Sequence, residues 1–352
     1  MSVDNRTPFP ALAFRQFTMA GDLAGIVVAR GTFELGENGA LRLAKEQMPL
    51  VMSDTYAGDP HASPQLACTD LAPFKPGTDV TFLGTSFAPD GVATPSWTCG
   101  LRVGKLARRL RVTGPRVWRA KTRRTWAGLV DRTKEWALDG WELTEPASVD
   151  QVSIDWSLAF GGTNGRESVE ANPLGRGLVD DVLFQERPEW PAPQIEDADQ
   201  PITEVTEQGT PAGMGLVSPF WQSRAAKAGT YDEAWVQSRH PLLPEDFDYR
   251  FWQAAAPGMV AEPWLQGDED FELTNLLRGR SLLRGVLPGF HLHLGIDNGQ
   301  GIERGWMVLD GVHFDMRPGV ERVFLTWRAN FPWPERRGMP VMECIRGEAE
   351  AA

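Results

Sequence analysis

The strongest constraint on this chain is a period of two. Leu23–Leu35 (LAGIVVARGTFEL) is dense in β-branched and apolar residues, turns at the Gly-rich Gly36–Gly39, and resumes at Leu41–Ala44, which is the pattern of a hairpin. Asp79–Ala88 and Thr98–Thr113 behave alike. In the second of these, Leu110 and Val112 alternate with Arg109, Arg111 and Thr113, placing apolar side chains on one sheet face and guanidinium groups on the other. Glu135–Leu143 and Val152–Phe160 continue the series. From Phe271 the signal returns in Phe271–Leu277, Ser281–Leu287, His291–Ile296, Trp306–Leu309, Val312–Asp315 and Glu321–Trp327. Turns spaced about 8–12 residues apart separate several of these, as in a sandwich or barrel. The expected fold class is therefore mainly β, with antiparallel sandwich- or barrel-like sheets and a long loop-rich middle segment carrying a few short helices.

That reading divides the chain into an N-terminal β region (1–165), an acidic loop-rich segment (166–270), a C-terminal β region (271–333) and a tail (334–352) expected to fray. One compact unit is also compatible with it. The middle segment carries aromatic anchors, among them Phe184, Trp190, Phe220, Trp221, Trp235 and Trp264, so it is expected to be ordered and draped over the sheets. Three helices are predicted there. One is capped by Ser218 and stops at Gly229, one begins with the capping-box spacing of Thr230–Glu233, and one covers Asp246–Ala256.

Hydrophobic residues make up 42% of the 352, enough for a substantial core. Fourteen Trp stand against three Tyr; core filling is the ordinary role for most of them, with interface anchoring the alternative. The net charge of −12 argues against general nucleic-acid affinity. No leader-like pattern occupies the first residues, and no apolar run approaches the roughly 20 residues of a membrane span. Cys68, Cys99 and Cys344 lie far apart, which suits a reducing compartment. The expected location is cytoplasmic.

Catalytic chemistry is hard to assemble from these residues. His291 and His293 share a strand face and His313 lies on a later strand; the three could bind zinc, but a polar outward sheet face is the simpler reading. Gly84-Thr85-Ser86-Phe87-Ala88 lacks the last glycine of a nucleophile elbow, and Gly213-Met214-Gly215 lacks the third glycine of a dinucleotide loop. Loop acids such as Asp268-Glu269-Asp270 are expected at the solvated surface. No catalytic residue, metal ligand or cofactor is assigned.

Loop motifs carry a resemblance. In order they are Pro8–Gln16 (PFPALAFRQ), Asp54–Pro60 (DTYAGDP), Asp70–Asp79 (DLAPFKPGTD), Phe160-Gly161-Gly162, Asn172–Gly177 (NPLGRG), Pro211-Ala212-Gly213, Gly229–Asp232 (GTYD), Arg239–Pro244 (RHPLLP) with Asp246-Phe247-Asp248, and Gly267-Asp268-Glu269. Over roughly residues 8–330 the chain resembles a bacterial family, long catalogued as a domain of unknown function and encoded beside type VI secretion genes. Its members are regarded as adaptors or chaperones that help load effectors onto the secretion spike. The resemblance implies an effector or spike-tip protein as partner, with neither nucleic acid nor membrane involved. Within the motifs Asp59, Asp70, Pro73, Lys75, Asp79, Gly161, Gly162, Asn172, Gly175, Tyr231, Asp232 and Asp246 are assigned fold-shaping roles. Two departures stand out. The family's basic residue before Phe-Gly-Gly is replaced by Trp156-Ser157-Leu158-Ala159, and Lys121–Ser148 matches poorly. A carbohydrate-active β-scaffold hydrolase using loop carboxylates is the alternative function.

Charge is unevenly spread. Gly91–Val130 contains no acid but many bases, while acids far outnumber bases from Asp180 to Glu272. Arg and Trp dominate interface hot spots, so Arg102, Arg109, Arg111, Arg119, Trp118 and Trp126 are the candidate partner-binding residues. The competing reading is internal, with the acidic segment covering the basic strands.

Overall fold

A computed structural model describes residues 3–126, 134–206, 208–297, 301–333 and 340–346. Strand accounts for 45% of the described residues and helix for 7%, against about a third helix in an average soluble domain. Among the described residues no sheet closes into a barrel.

Strands from the two ends of the chain interleave. The seven-stranded sheet runs Val260–Ala261, Thr78–Leu83, Val308–Asp315, Arg322–Pro332, Leu23–Leu35 and Ala11–Phe17, with Leu41–Leu43 added beside Leu23–Leu35. A five-stranded sheet runs Ile195–Asp197, Leu106–Thr113, Ser96–Val103, Asp270–Leu277 and Arg280–Val286. The N- and C-terminal β regions thus share both sheets. Their inner faces meet in one apolar core, as where Phe271 and Phe314 lie 5.3 Å apart. A four-stranded sheet of Asp4–Asn5, Val341–Arg346, Phe290–Asp297 and Ile302–Trp306 closes one flank. There Phe9 stacks on Trp327 at 5.1 Å and meets Phe290 edge-on at 5.4 Å.

Three expectations are corrected. The tail, expected to fray from Pro334, supplies Val341–Arg346, paired with Phe290–Asp297 on one side and Asp4–Asn5 on the other. Residues 334–339 and 347–352 lie outside the described residues. The helices are shorter than read: Gln222–Ala225, Glu233–Ser238 and a 3-10 turn at Tyr249–Trp252. Asp232, not Thr230, caps the second by accepting the Trp235 N–H at 2.9 Å, while the Thr230 hydroxyl and N–H both donate to Asp246. Finally, the predicted strand Val152–Phe160 breaks into Gln151–Ser153, a 3-10 turn and Phe160–Gly161, since Asp155 accepts the Ser157 N–H and starts the turn.

A separate small sheet leaves the body. Val117–Trp126 and Lys134–Leu143 form a two-stranded ribbon that Glu189–Pro191 joins only along Val117–Arg119. Trp118, Trp190 and Ala192 form a satellite core under it.

Candidate functional site

The family motifs converge on two interlocked networks inside the chain. The first lies on the face of the seven-stranded sheet opposite the main core, where alternation would place Arg30, Thr32, Asp79, Thr81 and Arg328 in solvent. Loops roof this face instead. Arg30, Lys75 and Arg328 oppose Asp70, Asp79 and Asp310, and every one of the six is buried. Lys75 pairs with Asp79 at 2.9 Å, Arg30 with Asp70 at 3.3 Å, and Arg328 with Asp310. Asp79 also accepts the N–H groups of Ala254 and Ala255, and Asp70 accepts that of Val51 at 2.7 Å. The Pro73 carbonyl accepts from Asn330 at 2.6 Å. Burial opposes the Lys75 charge, but Asp79 and Asp310 outweigh it and hold the ammonium above its ordinary range.

The second network joins the Phe-Gly-Gly and Asn-Pro-Leu-Gly motifs. Asn172, fully buried, donates from its amide nitrogen to the carbonyls of Trp156 and Phe160, each at 2.9 Å. Backbones approach so closely that a Cβ on Gly161 would lie 2.2 Å from the Asn172 oxygen, and one on Gly162 2.1 Å from the Gly175 oxygen. On Gly175 it would meet the Asn172 amide at 2.6 Å. Arg176, from the second of these motifs, donates to the Ser157 carbonyl at 2.7 Å. Asp59 accepts the His61 N–H and closes its own turn. Tyr231 remains 53% exposed, edge-on to Trp235 at 4.7 Å.

Most of the basic run is met by acids of the same chain. Arg116 and Arg111 reach Glu196 at 2.7 and 3.6 Å, Arg108 reaches Asp197 at 3.3 Å, and Arg109 approaches Asp199 at 3.7 Å. Arg119 pairs with Glu189 at 2.8 Å and Arg102 with Asp270 at 2.6 Å. The cause is register: Leu110–Val112 pairs antiparallel with Ile195–Asp197, which lays the acidic segment beside the arginines. Trp118 is corrected as a surface anchor, being 1% exposed in the satellite core. The Trp126 side chain lies outside the described residues. Farther along the ribbon Lys121 and Arg124 meet no acid among the described residues, and Arg124 lies over the exposed Trp136 ring at 4.9 Å.

The remaining candidates are dispersed. His291 and His293 occupy the outward face of the four-stranded sheet, where His293 lies 3.6 Å from the Trp306 ring centre. His313 is on the seven-stranded sheet, bound to Thr81 at 2.6 Å, and burial pushes its pKa down. Ser86 is fully buried, donating to the Asn275 carbonyl and accepting from Trp97. Cys99 is also buried, which pushes its thiol up to about 12. Of the loop acids, Glu269 accepts the Gln266 and Gly267 N–H groups and Asp270 pairs with Arg102. Among the described residues, grooves large enough for a ligand include two of the roomier kind. One, of about 560 Å³, is lined by Glu37, Phe87, Arg278 and Glu321; the other, of about 760 Å³, by Arg102, Asp268, Asp270 and Arg284. No helix among the described residues is long and apolar enough to cross a membrane.

Sequence reasoning missed Trp136 and Trp306 as surface residues. Each sits on an outer strand, and strand order is not written in local pattern.

No curated protein and no solved structure matches the chain. Residues 20–328, most of its length, match the family described as uncharacterized protein conserved in bacteria (DUF2169), and the chain belongs to that family.

Proposed function

We propose that this protein is a cytoplasmic adaptor or chaperone that binds a type VI secretion effector, or a spike-tip protein, and helps load the effector onto the spike. The observation that carries this reading is the set of large aromatic side chains left at the surface: Trp306 at 58%, Tyr231 at 53%, and Trp136 and Phe220 at 51%. Trp and Tyr are the residue types whose burial dominates protein–protein binding. They sit on different elements, and the resemblance in the loop motifs points the same way.

The test is co-purification of the untagged chain from its native host, with bound proteins identified by mass spectrometry. Stoichiometric recovery of a toxin or spike protein, lost in a Trp136→Ala/Trp306→Ala double variant of unchanged stability, is the expected result. Recovery of no protein under conditions where the secretion genes are expressed would overturn the reading.

A further inference from the structure

Ile302–Trp306 is the outermost strand of the four-stranded sheet, and each of its five residues is exposed. Its register with the neighbouring strand is unbroken from Asp297↔Ile302 to His293↔Trp306. The Met307 N–H donates to the Leu292 carbonyl at 2.8 Å, which makes that pair a hydrogen-bonded one. Antiparallel pairs alternate, so Leu294/Gly305 and Ile296/Glu303 are hydrogen-bonded too. The N–H and C=O groups of Ile302, Arg304 and Trp306 therefore point away from the sheet, and among the described residues nothing pairs with them.

Natural edges are ordinarily blunted by short length, charged side chains, Pro, a bulge, inward charges or a covering loop, and of these the edge carries the charges of Glu303 and Arg304. This one has no Pro and no bulge. Ile302, Arg304 and Trp306 share the face on which His293 supports the Trp306 ring. Glu303 lies on the other face, and neither Glu303 nor Arg304 forms an ion pair among the described residues.

We propose that this edge is where an extended segment of the partner protein adds as a further strand. The proposal rests on the adaptor reading above. Backbone hydrogen bonds to Ile302, Arg304 and Trp306 supply the grip, and side-chain complementarity sets the pattern. An apolar residue lies opposite Ile302, a base opposite Glu303, an acid opposite Arg304, and an apolar or aromatic residue opposite Trp306.

The probe is a fluorescein-labelled peptide with the antiparallel core Ile-Thr-Glu-Lys-Val, titrated with the full chain by fluorescence polarisation. Saturable binding is expected. Arg304→Ala, which loses the charge and keeps the N–H, should weaken it by about two- to fivefold. Arg304→Pro, tolerated on an outer edge, also loses the outward N–H and should weaken it by roughly tenfold or more. A control leaves the protein untouched: N-methylating the peptide's Glu amide, which faces the edge, should abolish binding, whereas N-methylating its Lys amide, which faces away, should not.

Equal binding of the two methylated peptides, or no saturable binding, overturns the proposal. So does concentration-dependent self-association that Arg304→Pro abolishes, since the occupant is then a second copy of the chain. Capture of the native partner by wild type and Arg304→Pro alike retains the adaptor function and rejects this edge. Peptide binding with the expected methylation pattern but no captured partner does the reverse.

Discussion

Replacing Arg116 by Leu separates an internally fastened basic run from a free docking face. The Arg116 side chain is 4% exposed and reaches Glu196, itself fully buried, at 2.7 Å. Removing one partner of a buried pair costs about 3–5 kcal/mol, because the remaining charge is stranded away from water. Here Arg111 stays 3.6 Å from the same carboxylate and the Ile202 N–H still donates to it, so the low end, about 3 kcal/mol, is expected. Arg119→Leu is the internal comparison. Its pair with Glu189 is shorter than many, at 2.8 Å, but the two side chains are 57% and 49% exposed. Solvent screening limits such a pair to about 0.2–1 kcal/mol. The double variant Arg116→Leu/Glu196→Leu should recover most of the loss, since no buried charge remains. Urea denaturation followed by tryptophan fluorescence reads all three. If Arg116→Leu and Arg119→Leu destabilise equally, or the double variant is no better than the single, the acidic segment does not fasten these strands.

Stability should fall on acidification in two steps. Burial depresses the His313 pKa, so as pH drops through the unfolded value of about 6.5 the unfolded chain takes up a proton that the folded one refuses. Asp315, held low despite its burial by Arg317 and His313, contributes stability that is present above about pH 3.9 and is lost as pH falls toward its folded value. His313→Gln should remove the first step and shrink the second without abolishing it, since Arg317 still holds Asp315 low, in a pH series of denaturation midpoints. Gly162→Ala, at φ 80° and with its Cβ 2.1 Å from a carbonyl, should prevent soluble expression, while Gly165→Ala, at φ 94° in open space, should cost only about 1 kcal/mol. Trp136→Ala should shift stability by less than about 0.5 kcal/mol while reducing partner capture. Metal analysis of untagged protein should find less than one equivalent of zinc, nickel or copper, and an equivalent lost on His291→Ala would reverse that expectation.

Alternation made the central strands readable, and Leu23–Leu35 appears over the residues that its pattern predicts. Where tertiary pairing decides, the pattern fails. Val341–Arg346 is short and follows a charged, Pro-containing stretch; its strand state comes from partners far away in sequence. The start of Glu233–Ser238 was misplaced because Asp232 accepts the Trp235 N–H, while Thr230 donates to Asp246, sixteen residues distant. Trp118 could have been assigned inward. Arg119, Lys121 and Arg123 are exposed, so the alternate position of Trp118 points the other way. The pairing of Arg111 and Arg116 with Glu196 had no local signal beyond opposite charge, and only the register of Ile195–Asp197 against Leu110–Val112 selects it.

The buried ion network explains why the loop motifs look as they do. Three bases and three acids meet between one sheet face and its roofing loops, burial pushing the Asp310 carboxyl up against the pull of Arg328 and Lys75, and a buried charge is tolerated only when paired and hydrogen-bonded. That condition draws together segments remote in sequence: Arg328 donates to the Asp70 and Ala72 carbonyls, and Asp79 holds the Ala254 and Ala255 amides. It also fixes register, because a slip of one residue in Val308–Asp315 would carry Asp310 to the apolar face and leave Arg328 unpaired. Residues committed to such a network cannot meet a partner without stranding the charge they already neutralise. On the adaptor reading proposed above, partner selection would therefore fall to side chains outside that network, as Trp136 with Arg124 and Arg304 with Trp306 are.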